Sequence, residues 1–160
     1  NPVIIIKQMK TLFSIFFIFL FLNAASAQNA QRVKNFNINK GALALEGYDP
    51  VAYFTSNKGV EGRKDISHIR EGITYYFSSI QNRELFKTNP SKYEPQYGGW
   101  CAYAMGEKGD KVSVDPETFK ILDGKLYLFY NKFVTNTLKD WNKNESSLKQ
   151  KADQNWTKFK

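Results

Sequence analysis

Cys101 is the only cysteine among the 160 residues, and this single thiol limits how the chain can be stabilised. No disulfide can form within one chain, so the fold has to be held by a hydrophobic core. Hydrophobic residues make up 42% of the chain and aromatic residues 16%, a composition typical of a globular protein. A chain of this length can bury such a core as one domain without disulfides.

The N-terminal part of the sequence has the three regions of a secretory signal peptide. Lys10 follows the first methionine, Met9, and precedes an apolar run from Leu12 to Leu22. This run is shorter than the roughly 20 residues that a membrane-spanning helix needs. The small residues Ala25-Ser26-Ala27 then form a typical cleavage site. We therefore expect residues 1–27 to be removed, leaving an exported protein, periplasmic or secreted, without a membrane anchor.

The chain is basic, but its positive charge is spread along the sequence. The formal net charge is +8, and it falls to +6 when Lys7 and Lys10 leave with the leader. No block of five or six like charges occurs, and no nucleic-acid-binding motif is present, so we expect no nucleic-acid partner. The charge favours weak adhesion to an acidic envelope surface and identifies no protein partner.

Two pairs of β-rich runs, each joined by a dipeptide typical of a tight turn, predict hairpins. The first pair surrounds Glu71-Gly72, and the second surrounds Asp123-Gly124. The turn sequence Gly47-Tyr48-Asp49-Pro50 precedes a further short strand. The predicted strands are 51–54, 66–70, 73–77, 112–114, 119–122 and 125–130.

Helices are predicted at residues 79–88 and across 132–159. Ser78 and Gln81 have the spacing of a capping box, and the first helix has to end before Pro90. In the C-terminal part, two apolar stripes recur with helical spacing. These stripes are Val134, Leu138 and Trp141, then Leu148, Ala152, Trp156 and Phe159.

The pattern predicts an α+β fold, in which one short central helix and two C-terminal helices pack on a small antiparallel sheet between Val51 and Tyr130. Residues 28–46 are expected to be an N-terminal lead-in, polar and loose over 28–39 and ordered from Gly41 onwards. Residues 47–131 would form the main domain, and residues 132–160 would form the helices packed on it.

The sequence lacks the common catalytic signatures. His68 is the only histidine, and neither a nucleophile elbow, a phosphate-binding loop nor a dinucleotide fingerprint occurs. No enzyme class is therefore assigned.

Cys101 is the strongest candidate for a chemically active residue, and three interpretations of its role remain open. If residues 101–105 form a strand or a helix, Met105 shares a face with Cys101, and two soft sulfur ligands suit copper(I). His68 would then be the third ligand, so that the cofactor would be a copper or zinc ion. If Gly98 and Gly99 open a helix, the dipole favours a reactive thiolate. The third interpretation is an inert thiol in the core.

Glycines and aromatic residues surround this cysteine in the sequence. Tyr97, Gly98, Gly99, Trp100 and Tyr103 are predicted to form a shallow pocket around the sulfur. Such a pocket would admit a metal ion or a small oxidant and exclude larger thiols.

Several blocks of the chain carry a resemblance to a known family. The most specific block is Pro95-Gln96-Tyr97-Gly98-Gly99-Trp100-Cys101-Ala102. It is accompanied by Gly47–Phe54, by Asp123–Leu128 and by the terminal Ala152–Trp156. On these residues the chain resembles the exported branch of the YHS-domain family over nearly all of its length after the leader, with residues 47–131 as the YHS-like domain.

The resemblance implies a binding module in which Cys101 has a role. YHS domains occur attached to copper-transporting ATPases and to some hydroxylases, and they are associated with metal binding. Members of the exported branch sometimes carry selenocysteine at the position that matches Cys101. Other versions often carry a second cysteine, where this chain has Phe77-Ser78-Ser79. A site made of two cysteines from one chain is therefore not expected, and transition-metal binding and thiol redox chemistry both remain open.

Overall fold

The structure, a computed structural model, describes residues 27–159, so the predicted leader lies outside the described residues except for Ala27. Within this range helices alternate with short strands, which confirms the α+β prediction. The helices are α1 (27–35), α2 (Ala52–Thr55), α3 (Ile80–Thr88), α4 (Pro90–Tyr93), α5 (Ala102–Glu107), α6 (Thr137–Lys143) and α7 (Glu145–Trp156). The strands are β1 (Ile38–Asn39), β2 (Leu43–Ala44), β3 (Arg63–Arg70), β4 (Ile73–Phe77), β5 (Asp115–Leu122), β6 (Lys125–Phe129), β7 (Asn131–Lys132) and β8 (Thr135–Asn136).

The largest sheet has the strand order β1-β2-β4-β3. Strands β3 and β4 form the predicted hairpin, and both turn residues, Glu71 and Gly72, have positive φ. The sheet is mixed, because β2 runs parallel to β4 while the other pairs are antiparallel. The sheet was expected to be purely antiparallel, but β2, from the N-terminal segment, adds one parallel pair to it.

The second predicted hairpin forms a separate ladder. Strands β5 and β6 are antiparallel, and Asp123 and Gly124 between them have φ values of 52° and 69°. Positive φ at both positions is the requirement of a type I′ turn, which asparagine, aspartate and glycine meet best. Strands β7 and β8 form a further two-stranded hairpin directly after this ladder. The single sheet expected from Val51 to Tyr130 is thus divided into smaller sheets.

The segments 51–54 and 112–114 are not strands, which corrects two sequence predictions. Residues 52–55 form helix α2, because Asp49 Oδ1 accepts hydrogen bonds from the backbone N–H groups of Val51, at 2.8 Å, and Ala52, at 3.3 Å. A carboxylate that accepts from N–H groups two and three residues later forms an Asx turn, which here leads into a helix and not a strand. Residues 112–114 have no regular structure, and the Val112 carbonyl accepts from the Cys101 N–H at 2.9 Å.

The predicted central helix is present as α3, with a shifted cap. Ser79 is the N-cap, and its hydroxyl accepts from the Asn82 N–H at 3.1 Å. Ser78 instead donates its hydroxyl to Asp49 Oδ2 at 2.6 Å. The helix ends at Thr88, and Pro90 begins α4, as its fixed φ allows at a first helical position.

The C-terminal part contains two helices, as predicted, but its first apolar stripe begins outside them. Val134 lies in the turn between β7 and β8 and is fully exposed. Trp141 on α6 is completely buried, and Leu148 on α7 packs on α5. The contact between α5 and α7 is so close that a Cβ added to Gly106 would lie 2.5 Å from the Leu148 carbonyl oxygen.

The N-terminal lead-in is not loose, contrary to the expectation from its polar sequence. Helix α1 places Arg32 in an ion pair with Glu94 and Asn35 Nδ2 2.7 Å from the Phe159 carbonyl oxygen. Residues 38–39 and 43–44 supply β1 and β2. Polar side chains that find partners in distant segments therefore fix this region. Among residues 27–159, none of the helices is both long enough and apolar enough to span a membrane.

Candidate functional site

Cys101 lies at a sharp change of chain direction between a 3₁₀ turn and helix α5. The turn, Gln96–Gly99, contains three residues with positive φ: Tyr97, Gly98 and Gly99. Gly98 is required there, because a Cβ added to it would lie 2.9 Å from the Trp156 ring. The chain then runs beside β6, where Cys101 pairs with Leu128, before α5 begins with Cys101 as its N-cap.

The sulfur of Cys101 has two polar neighbours. The backbone N–H of Tyr130 donates to Sγ over 3.4 Å, and Thr137 Oγ1 also lies 3.4 Å from Sγ. The hydroxyl of Thr137 is 2.9 Å from the Tyr130 carbonyl oxygen, to which it donates. Since Thr137 has one hydroxyl proton, the protonated thiol donates to Thr137 Oγ1. Once the thiol proton leaves, the same hydroxyl can turn and donate to the sulfur.

A pocket of about 250 Å³ opens beside this sulfur. Exposed charged residues stand at its mouth: Glu107, Lys108 and Asp110. The other lining residues are Cys101, Tyr103, Ala104, Val112, Tyr130 and Thr137. Cys101 as a whole residue is 0% exposed, so its thiol is buried behind the wall of this pocket, and a reagent needs a local opening to reach it.

The pocket differs from the one predicted from the sequence around Cys101. Of the five predicted lining residues, only Tyr103 lines it. Tyr97 and Gly98 line a different groove beside Trp156, and the Trp100 indole donates to the Asn35 carbonyl oxygen at 2.7 Å. Gly99 lies with them in the turn and accepts from Asn37 Nδ2 at 3.0 Å. The positive φ values reverse the chain, so residues before Cys101 face the N-terminal segment and α7 instead.

Met105 does not line the Cys101 pocket, although the two residues are separated by one helical turn. Cys101 has N-cap dihedrals, φ −57° and ψ 117°, so the rule that residues four apart share a helix face does not apply to it. The Met105 side chain is buried in the core cluster around Tyr127 and Trp141, whereas Cys101 belongs to the other cluster. The expectation of a shared face is therefore not met.

His68 also lies away from the pocket. It stands on β3, where its ring centroid is 6.2 Å from that of Phe86. Burial, together with the nearby cations Lys87 and Arg83, lowers the pKa of the imidazole. Within residues 27–159, no three histidine, cysteine, aspartate or glutamate side chains cluster as metal ligands. The three ligands proposed from the sequence are thus not brought together in this pocket.

Sequence reasoning missed the two residues that contact the sulfur. Tyr130 and Thr137 lie on either side of the β7–β8 hairpin, 29 and 36 positions after Cys101. Neither belongs to a motif, and Thr137 falls inside the helical region predicted across 132–159. No sequence signal could have identified them, because their role depends on how the hairpin folds back towards α5.

A scan of family models, a search of curated proteins and a search of solved structures each gave no match to this chain.

Proposed function

We propose that this protein is an exported YHS-like module whose function depends on the thiol of Cys101, acting in redox chemistry with a small oxidant. One observation carries the proposal: Cys101 lines a small pocket, and its sulfur contacts a backbone N–H and a hydroxyl group. Both groups can donate to a sulfur that carries negative charge, and such hydrogen bonds stabilise a thiolate. The resemblance of the Pro95–Ala102 block to a branch that tolerates selenocysteine supports the same role.

The proposed reaction uses a peroxide as the oxidant and an external thiol as the reductant. The Cys101 thiolate attacks one peroxide oxygen, so that an S–O bond forms while the O–O bond breaks. The leaving oxygen takes a proton and departs as an alcohol or water, and sulfur, oxidised by two electrons, becomes a sulfenic acid. An external thiol then attacks the sulfur, releases water and forms a mixed disulfide. A second external thiol restores Cys101 and departs in an external disulfide.

The reductant has to come from outside the chain, because Cys101 is the only cysteine. The size of the pocket fits a small oxidant better than a protein thiol approaching the buried sulfur directly. Formation of the mixed disulfide would therefore need either a small thiol or a local opening of the pocket mouth.

Two other functions compete with this proposal. Metal binding through Cys101, with copper or zinc, would need ligands other than Met105 and His68, which do not line the pocket. A purely structural cysteine would be buried in a hydrophobic cluster, as Cys101 is, so the two polar neighbours of its sulfur are what favour thiol chemistry. Thiol chemistry accounts for both the pocket and the hydrogen bonds.

The test is oxidation of the native protein with a stoichiometric amount of hydrogen peroxide, with a dimedone-type reagent present to trap sulfenic acid. We expect one adduct per chain, located on Cys101 by peptide mass spectrometry. The Cys101→Ser variant is the control and should form none. Separate, untreated samples of the wild type and of Cys101→Ser are titrated with copper(I) and zinc(II) under reducing conditions.

The outcomes separate the three functions. An adduct on folded protein, with weak metal binding unaffected by Cys101→Ser, supports the thiol function. Tight metal binding that Cys101→Ser abolishes would replace the proposal with a metal site. A thiol that reacts only after unfolding would show that Cys101 is structural.

A further inference from the structure

The hairpin formed by β7 and β8 has an apolar tip that projects from the molecule. Its strands contain two residues each, and Phe133 and Val134 form the turn between them. Both side chains are fully exposed, with relative accessibilities of 101%. Two adjacent large apolar side chains with this exposure make no contribution to the core.

The backbone conformation at this tip is also unfavourable for Phe133. Phe133 has a φ of 55°, in the left-handed region, where glycine, asparagine and aspartate are preferred and a bulky residue is strained. Leu45 and Tyr97 also have positive φ, but both are buried in the core, where packing offsets the cost. The backbone strain at Phe133 is therefore not offset by packing of its side chain. Strain of this kind is concentrated at functional positions.

Positive charge accompanies the apolar tip. Lys132 is exposed directly beside Phe133, and Lys139 is exposed on the helix that follows. Within residues 27–159 neither lysine forms an ion pair, whereas the three acidic residues after the hairpin each pair with another lysine. These pairs are Asp140 with Lys143, Glu145 with Lys120 and Asp153 with Lys149.

We propose that Phe133 and Val134 insert into the surface of an anionic phospholipid bilayer, with Lys132 and Lys139 contacting the headgroups. Peripheral membrane binding uses this combination of an apolar element with nearby cations. A stable interface with another protein needs roughly 800 Å² from each partner, far more than two side chains at a hairpin tip provide. The size of the tip and its charge therefore favour a bilayer over a protein groove.

Docking of this tip would also place the Cys101 pocket near the membrane. Tyr130 and Thr137, at the base of the hairpin, both line that pocket. The membrane proposal does not depend on the chemistry of the thiol, because the tip and the lysines contain none of the groups that contact the sulfur.

The experiment uses the chain without residues 1–27, the form expected after export. The protein is mixed with vesicles of phosphatidylglycerol and phosphatidylcholine, or of phosphatidylcholine alone, and the bound fraction is measured by sedimentation. We expect binding to the anionic vesicles that weakens as salt is added. The double variant Phe133→Asn/Val134→Thr should bind at least about tenfold more weakly, since it removes the apolar surface of the tip. Asparagine also suits the positive φ, so this variant should fold.

Ile69→Thr is the matched control, because Ile69 is an exposed apolar side chain, 66% accessible, on β3. It should bind vesicles like the wild type, and melting curves of all variants should show that they are folded. Failure of the wild type to bind anionic vesicles, or equal binding by the double variant, would overturn the proposal. Self-association of the wild type that the double variant abolishes, without vesicle binding, would identify the tip as a protein interface instead.

Discussion

The Sγ atom of Cys101 lies 3.4 Å from the backbone nitrogen of Tyr130, across the gap between the start of α5 and the end of β6. This contact joins two segments that are separated by 29 residues in the sequence. It gives the only thiol of the chain a fixed hydrogen-bond donor at the edge of a pocket. The contact therefore has two consequences: it links α5 to the end of β6, and it places a hydrogen-bond donor beside the thiol.

Substitution of Cys101 should distinguish the two consequences of this contact. Cys101→Ala leaves the partly buried Tyr130 N–H without its sulfur acceptor, which should cost about 1–3 kcal/mol of unfolding free energy. Cys101→Ser keeps an acceptor and should remain within about 1 kcal/mol of the wild type. Urea unfolding followed by circular dichroism measures both. A serine variant less stable than the alanine variant would contradict the role of Cys101 as acceptor for the Tyr130 N–H.

Removal of the Thr137 hydroxyl should slow the oxidation of Cys101. Thr137→Val deletes a donor to the charged sulfur, and the loss of such a hydrogen bond corresponds to about a tenfold lower rate of sulfenic acid formation. Thr137→Ser retains the hydroxyl and should react at a rate near that of the wild type. Trapping kinetics at neutral pH provide the comparison. Equal rates for the valine and wild-type proteins would remove Thr137 from the mechanism.

Asp49 is expected to be essential for stability. Its side chain is 0% exposed. It accepts hydrogen bonds from the Val51 N–H at 2.8 Å, the Ser78 N–H at 2.8 Å and Asn82 Nδ2 at 2.7 Å. Asp49→Ala should cost about 3 kcal/mol or more, because several buried donors lose their acceptor together. Thermal melting measures this loss.

Asp65→Asn provides the control for the Asp49 experiment. Asp65 lies on β3 in a largely exposed pair with Arg63, at 2.6 Å. Surface substitutions of this kind leave stability nearly unchanged, so its melting curve should match that of the wild type. An equally mild effect of Asp49→Ala would show that water replaces the lost acceptor.

The two C-terminal tryptophans should differ in importance. Trp141 is 0% exposed and its indole donates to Glu145 Oε2 at 2.9 Å, whereas Trp156 is only partly buried. Trp141→Ala should cost about 3–5 kcal/mol, as expected for a fully buried tryptophan. Trp156→Ala should cost clearly less. Chemical denaturation of both variants tests the order, and a reversed order would mean that α7 contributes more to the core than α6.

Buried tyrosines should make the fold sensitive to alkali. Burial raises the pKa of Tyr53 and, with the charge of Glu94 adding to it, that of Tyr75 well above the ordinary tyrosine value of 10.0. The folded state therefore holds these protons when the unfolded state has released them. The stability that they contribute is complete below pH 10 and declines as pH rises towards the folded-state pKa values. Tyrosinate absorbance of the buried rings should appear together with unfolding.

Tyr53→Phe supplies the check on this alkaline transition. It removes one of the buried phenols, whose hydroxyl donates to the Pro116 carbonyl oxygen at 2.9 Å. The variant should lose less stability between neutral pH and pH 11 than the wild type does, even if it is less stable at neutral pH. An identical pH dependence would show that Tyr53 ionises without unfolding.

The sequence alone determined those parts of the fold that depend on near neighbours. The Asp123-Gly124 turn, the Glu71-Gly72 hairpin and the end of α3 before Pro90 all follow from local backbone preferences. The two C-terminal helices follow from their apolar periodicity. The same reasoning failed at 51–54. There the Asp49 carboxylate accepts from the Val51 N–H ahead of a helix, and its position is fixed by Ser78 and Asn82, about 30 residues away.

Only the tertiary structure decided what surrounds Cys101. Sequence spacing suggested Met105 as the neighbour of Cys101. Because Cys101 has an N-cap conformation, the two side chains lie in different core clusters. The groups that contact the sulfur, from Tyr130 and Thr137, are brought there by the β7–β8 hairpin. The physical reason is that local preferences fix turns and helices, whereas a pocket forms where distant segments pack, and this packing is not encoded in any short stretch of sequence.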